Sequence, residues 1–230
     1  MCGRFVQKTP LGEIRVLFEA ANPAPNAPPR YNAAPTDSLA VVRFNPQTRA
    51  RSLDLLRWGL VPLWAKDPSF GPKCINARSE TVATNKIFRE AFERRRCLIP
   101  ADAFYEWRKI GGGKPVPYAV APREGMFAFA GLWDRWRDAS GKTVETCSIL
   151  TTTPNALALA VHDRVPVILD GCVKKAELVI ESKPADGFLK GRCSACPTVR
   201  FNLTGNTLSQ KERLRKLSDI DFQQVHMDKN

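Results

Sequence analysis

Apolar residues recur at helical spacing in only a few places along this chain. Leu11, Ile14, Leu17 and Phe18 share one side of a helix over 11–20, and Ile87, Phe88, Ala91 and Phe92 share one over 86–93. A third helix is expected over 174–180 and a helical turn over 157–160. Most other apolar residues fall in short runs of strand length: 39–44, 53–58, 97–100, 103–107, 126–132, 144–150 and 165–169. Turn residues separate them. The segment 22–29 is rich in Pro, Asn and Ala, Asn45-Pro46 closes the first strand, and 111–113 is a Gly triplet that predicts a hairpin from Trp107 to 118–120. The stretch 59–73 carries Pro62, Pro68, Gly71 and Pro72 and reads as a loop that exposes Trp64.

Strands outnumber helices, and no strand–helix–strand rhythm runs through them, which excludes a doubly wound fold. The expected class is α+β: a single mixed domain with a mostly antiparallel, barrel-like β core flanked by short helices. A hydrophobic content of 43% over 230 residues suffices for a substantial core. The domain is expected to span 1–210. Residues 211–230 read as a charged C-terminal tail that frays.

The formal net charge is +12, with arginines dispersed from Arg30 to Arg96 and not gathered in a tail. That pattern describes a folded basic surface, which attracts polyanions, with nucleic acid the leading partner class. No apolar run reaches membrane-spanning length and no signal segment opens the chain. Seven cysteines without a compact framework suit reduced thiols. A cytoplasmic location is therefore expected, nucleoid-associated in a bacterium or nuclear in a eukaryote.

The N-terminus, Met1-Cys2-Gly3-Arg4-Phe5, holds the most distinctive chemistry. Initiator methionine is normally removed before a small residue. A terminal Cys2 then carries an α-amine of pKa about 7.7–8 beside a thiol of about 8.5. This 1,2-aminothiol condenses with an aldehyde to a Schiff base, which the thiol closes to a thiazolidine. An internal cysteine cannot do so, because its nitrogen is an amide. Of the two histidines, His226 lies in the polar tail, and His162 precedes an apolar strand, where it is either a proton shuttle or a structural residue. Glu106 stands between Tyr105 and Trp107 and is either solvent-facing or pocketed; in a pocket it would suit acid–base work. Asn76 and Arg78 follow the Pro/Gly loop and suit substrate orientation and phosphate contact, with a helix cap at Asn76 or Ser79 as the ordinary alternative. The lone CxxC at Cys193 and Cys196 lacks well-spaced further ligands, so no metal is expected, and no cofactor motif is present.

Taken together, MCGRF at 1–5, RYNAAP at 30–35, WGLVPLW at 58–64, INARSET at 75–81, PADAFYEW at 100–107 and VHDRVPVIL at 161–169 resemble the SRAP family, named for SOS response-associated peptidase. The similarity runs from residue 1 to about 205. It implies an abasic site in single-stranded DNA as substrate and partner, sensed and shielded through a covalent thiazolidine DNA–protein crosslink at Cys2 by a monomeric enzyme. It further implies Cys2 as nucleophile, Asn76 as the residue positioning amine and sugar, Glu106 as acid/base and His162 as proton shuttle. Arg4 and Arg78 would grip phosphates, Pro35 and Trp64 would support bases, and Thr151 and Asn202 would touch the DNA backbone. Two rival functions remain at this stage. One is an N-terminal-nucleophile autopeptidase or amidohydrolase, which would account for Met1 removal; the other is a non-covalent reader of modified DNA.

Overall fold

The computed structural model describes residues 2–108, 115–122, 125–154 and 162–169, together with backbone strands at 176–177, 188–193, 196–202 and 220–224. The strands in chain order begin with β1 (Arg4–Gln7), β2 (Arg30–Ala33), β3 (Ser38–Asn45), β4 (Ala50–Trp58), β5 (Asn76–Arg78), β6 (Arg96–Ala101), β7 (Ala103–Arg108) and β8 (Val116–Pro122). They continue with β9 (Phe127–Arg137), β10 (Thr143–Thr152), β11 (Val165–Pro166), β12 (Ile168–Leu169), β13 (Ala176–Glu177), β14 (Phe188–Cys193), β15 (Cys196–Asn202) and β16 (Ile220–Gln224). Two short helices, α1 (Leu11–Leu17) and α2 (Arg89–Arg94), and a 3-10 segment at Pro68–Cys74 interrupt them.

Five strands close on themselves. β4 pairs with β3, β3 with β6, β6 with β9 and β9 with β10, all antiparallel, and a short parallel contact of Thr146 with Arg57 and Cys147 with Trp58 returns from β10 to β4. Alternation then sorts the side chains into two cores. Leu39, Val41, Leu56, Trp58, Cys97, Ile99, Phe127, Phe129, Cys147 and Ile149 form one buried cluster, which fills the barrel. Their neighbours Ala40, Val42, Leu98, Ala128, Ala130, Leu132 and Leu150 form the other, which packs outward against Ile14 of α1, Phe18 at its C-terminal cap, and Ala91 and Phe92 of α2. Burial on both faces is why several barrel strands read as near-continuous apolar runs.

The two ends of the barrel are closed differently. Beyond the apolar interior, Arg43 of β3 lies 4.5 Å over the Trp133 ring and pairs with Asp54 at 2.9 Å and Glu145 at 3.0 Å. Opposite charges from three strands thus satisfy one another there. At the other side Phe5 of β1 meets Trp58 and Phe129 edge-on at 5.3 and 5.4 Å. β1 belongs to a second sheet, ordered β16-β8-β7-β1-β2. Gln7, almost fully buried, joins that sheet to the barrel: its amide donates to the carbonyls of Ala40 and Pro100 and accepts from the Ala40 N–H. Asp102 accepts from the N–H groups of Lys8 and Thr9 and from the Thr9 hydroxyl. These bonds fix the chain just downstream of Cys2, and buried polar groups so satisfied specify one arrangement.

The expected class is found: a mainly β chain with a barrel core and few, short helices. Both helices with a clear apolar stripe form, although α2 covers only Arg89–Arg94. The segment 174–180, expected to be helical, contains strand β13 instead. The strand at 165–169 is split, because Val167 donates to Leu150 and accepts from Ala130 as the chain passes from β10 to β9. Within the region expected to fray, β16 pairs with β8 over five residues. The Gly triplet at 111–113 and the helical turn at 157–160 lie outside the described residues. Among the described residues no helix is long and apolar enough to cross a membrane.

The loop that delivers β5 is pinned by two glycines. Gly59 has φ +123°, and a Cβ there would stand 2.7 Å from the Gly71 carbonyl oxygen. A Cβ on Gly71 would stand 2.6 Å from the Gly59 oxygen. Both obstacles are backbone, which cannot swing aside. Gly59→Ala is expected to cost at least about 2 kcal/mol, since it combines a strained φ with a clash. Thermal denaturation should show a fall of roughly 4–8 °C; an unchanged midpoint would mean that the two segments do not pack this closely.

Candidate active site

Two strands from distant parts of the chain, β7 and β5, meet at the N-terminus. Cys2 precedes β1 and is fully buried. β1 pairs with β7, with Arg4 opposite Tyr105 and Phe5 opposite Phe104. One further step in that register brings Glu106 level with Gly3, beside Cys2. Glu106 shares the buried face of β7 with Phe104 and is 4% exposed, which settles the choice between solvent and pocket in favour of the pocket. Asn76 starts β5, whose parallel pairing with β10 puts it opposite Ile149. Its Nδ2 donates to the Cys2 carbonyl at 2.8 Å. Its Oδ1 is buried and takes no hydrogen bond from the described residues. Asn76 is therefore a strand residue and not a helix cap.

The Cys2 thiol is pushed well above the ordinary cysteine range. Burial is the main cause and the Glu106 carboxylate the second; the ammonium of the Met1-bearing terminus and the Arg4 N–H pull the other way. A thiol so placed stays protonated near neutral pH, and it becomes a nucleophile only when a base takes its proton. Glu106 is a carboxylate within electrostatic reach of that proton.

His162 is held at the end of β10 by its neighbour Arg164. The Arg164 guanidinium makes a bidentate pair with Glu80 at 2.8 and 2.9 Å and donates to the Thr151 carbonyl at 2.8 Å. Its backbone N–H donates to His162 Nδ1 at 3.0 Å, and Asp163 Oδ1 lies 2.7 Å from the same nitrogen. Since Glu80 follows β5 by two residues, this clamp ties the histidine loop to the strand that carries Asn76.

The residues expected to touch DNA are placed unevenly. Arg78, two residues after Asn76, is exposed. Arg4 is half-buried and donates to Asn32 Oδ1 at 3.3 Å. Trp64 is 59% exposed, supported edge-on by Phe70 at 5.9 Å, with exposed Leu63 beside it. Pro35 is half-buried in the turn after β2. Thr151, expected at a backbone contact, is fully buried, and its hydroxyl accepts from Arg164 at 3.3 Å. Asn202 ends β15, and its side chain lies outside the described residues. The backbone sets Cys193 opposite Cys196 across a hairpin, with their side chains likewise outside the described residues. Arg164, Glu80 and Asp163 were not singled out by the sequence reading. The only signal was their adjacency to His162 and to the INAR segment.

A family model described as SOS response associated peptidase (SRAP) matches residues 1–187. The chain is 41% identical over 172 residues to the abasic site processing protein YoqW of Bacillus subtilis, covering 74% of this chain and 76% of that protein. It is 29% identical over 174 residues to the abasic site processing protein YedK of Escherichia coli, covering 74% and 75%. A crystal structure of a Bordetella bronchiseptica protein, 31% identical, superimposes with a TM-score of 0.63 over 73% of this chain and 83% of that one. A Bacteroides thetaiotaomicron protein, 20% identical, shares the fold over 98% of this chain and 92% of its own, with a TM-score of 0.69. With its buried N-terminal cysteine, Asn76, Glu106 and the clamped His162 set on this barrel, and a family match running over most of its length, the chain belongs to the SRAP family.

Proposed function

We propose that this protein processes abasic sites in single-stranded DNA by capturing their aldehyde in a thiazolidine at Cys2, after Met1 is removed. The observation that carries the reading is the hydrogen bond from Asn76 to the Cys2 carbonyl, which holds the first residue of the mature chain in a buried pocket beside Glu106. The names of the relatives, abasic site processing proteins, supply the substrate class.

The chemistry follows from the groups present. The abasic sugar is mostly a closed hemiacetal. Opening it requires a proton delivered to the ring oxygen and one removed from the anomeric hydroxyl, tasks for Glu106 and His162. The neutral Cys2 amine adds to the aldehyde carbon, and the carbonyl oxygen takes a proton. After a second protonation that oxygen leaves as water, the nitrogen gives up both of its protons over these steps, and a Schiff base remains. The thiol then gives its proton to a base as sulfur bonds to the imine carbon, and the nitrogen takes up a proton. One water is released overall, and the product is the five-membered ring.

The peptidase reading needs a donor at the carbonyl of the bond to be cut. For Met1 removal that is the Met1 carbonyl, whereas the Asn76 amide is spent on the carbonyl one residue later. A peptide substrate also leaves the charge of +12 unexplained. The test of the proposal is incubation with a single-stranded oligonucleotide carrying one abasic site. A heat-stable adduct is expected, equal in mass to DNA plus protein lacking Met1, less one water. No adduct with the abasic strand would overturn it.

Arg78 is expected to bind phosphate before the covalent step. Arg78→Ala should weaken binding alike for every sequence and lower the single-strand log–log salt slope by about 0.7. Capture at low protein concentration should slow accordingly, and an unchanged rate there would count against the contact.

A further inference from the structure

Two groups address one nitrogen of His162, and they favour opposite protonation states. The Arg164 N–H, 3.0 Å away, needs a lone pair on Nδ1. The Asp163 carboxylate, 2.7 Å away, needs a proton on it. We propose that Asp163 and Arg164 are positioning residues that set the tautomer of His162, so that its Nε2 serves as a proton acceptor in one step and a proton donor in another. The inference rests on the function proposed above.

With the Nδ1 proton held by Asp163, neutral His162 presents a bare Nε2, which takes a proton from an attacking amine or an anomeric hydroxyl. Having taken that proton, the ring is an imidazolium with its Nδ1–H on Asp163, and it returns the Nε2 proton to a departing oxygen; with Nδ1 accepting from Arg164 instead, the neutral ring already carries its proton on Nε2 and can take none there. Arg164 cannot drift from its place, because its guanidinium is spent on Glu80 and the Thr151 carbonyl. Asp163 is 82% exposed and can turn. With a fixed donor and a mobile acceptor competing for one nitrogen, Asp163 decides whether the ring is in the form that first takes a proton at Nε2 and then gives it back. The charged group that meets the loop from another element is Glu80, two residues after β5. Glu80 is neutralised by Arg164, which together with its backbone hydrogen bonds holds its carboxyl below the usual range despite partial burial.

The test uses the full chain, labelled with 15N, near pH 8. The chain has two histidines, so His226→Ala identifies the His162 resonances. In the wild type the Nδ1 and Nε2 shifts should report a mixture of the two tautomers. Asp163→Ala should move them to the Nε2–H form, and Asp163→Glu should restore the mixture. On abasic single-stranded DNA, Asp163→Ala should slow capture at least roughly threefold, but less than His162→Ala does. It should add nothing further in the His162→Ala background, where the nitrogen it addresses is gone. A merely structural effect, or relief of repulsion between Asp163 and DNA, would persist in that background. Identical shifts in wild type and Asp163→Ala overturn the proposal, as does an equal rate effect with and without His162. A wild-type protein that captures no abasic DNA overturns the proposed function and the kinetic half of this inference, while the shifts still decide whether Asp163 governs the tautomer.

Discussion

Protein that carries Ala at position 2, or that retains Met1, is expected to form no stable adduct with abasic single-stranded DNA. The two changes act on different atoms. Retaining Met1 leaves the Cys2 thiol in place but turns its nitrogen into an amide, which cannot form a Schiff base. Cys2→Ala keeps a terminal amine but removes the atom that closes the ring. The alanine variant should therefore still give a transient imine that borohydride traps, whereas the Met1-bearing chain should give none. Denaturing electrophoresis reads the adduct, and intact mass spectrometry reads the N-terminus of the active protein. Cys2 is fully buried in the barrel-side core. A thermal melt of the Ala variant must accompany the assay, because a small buried residue also contributes packing. Adduct formed by protein with Met1 still attached would sink the mechanism outright. In the proposed mechanism, the burial that raises the thiol pKa makes the amine the expected first nucleophile, with the sulfur following once its proton has a destination.

Glu106→Gln and His162→Ala should separate binding from chemistry. Gln keeps the shape of the glutamate and removes its charge and proton function. Non-covalent binding of single-stranded DNA should stay nearly unchanged, while crosslink formation or reversal slows by at least about tenfold, within the roughly 10²–10⁴-fold that positioned proton transfer supplies. The charge change has a second, opposing consequence. Glu106 raises the thiol pKa, so Gln at this position makes the Cys2 proton easier to lose even as it removes the base that would take it. The loss of the acceptor is expected to dominate, because burial and not Glu106 is the larger cause of the raised value. Rates measured between about pH 5 and 8 should show an altered dependence in His162→Ala. Wild-type rates of capture and release in both variants over this range would make the two residues structural, and the protein would reduce to an aminothiol on a basic surface.

The local signals in the chain were sufficient for the elements whose reason for existing is local. The apolar stripes of α1 and α2, and the runs that became β3, β4, β6, β7, β9 and β10, follow from periodicity and turn residues alone. So does the reactive potential of an N-terminal cysteine, which is a matter of covalent structure. β1, β2 and β5 were invisible to that reading. They are only three or four residues long and exist because longer strands offer them an edge: Arg4–Gln7 on β7, and Asn76–Arg78 on β10. A barrel-like core was expected, but the contact that closes it had no local signal, since it is a two-residue parallel pairing between β10 and β4 more than eighty residues apart. The same distinction runs through the site. Residue types and motif order nominate Cys2, Asn76, Glu106 and His162. Whether Glu106 faces water or a pocket, and whether Asn76 caps a helix or holds Cys2, depended on which side of each strand the barrel covers. The Arg164–Glu80 clamp joins residues 84 positions apart and has no local pattern at all. Chemical capacity is a property of single residues and can be read from their order. Proton state and orientation are properties of surroundings, which exist only after the chain has closed on itself.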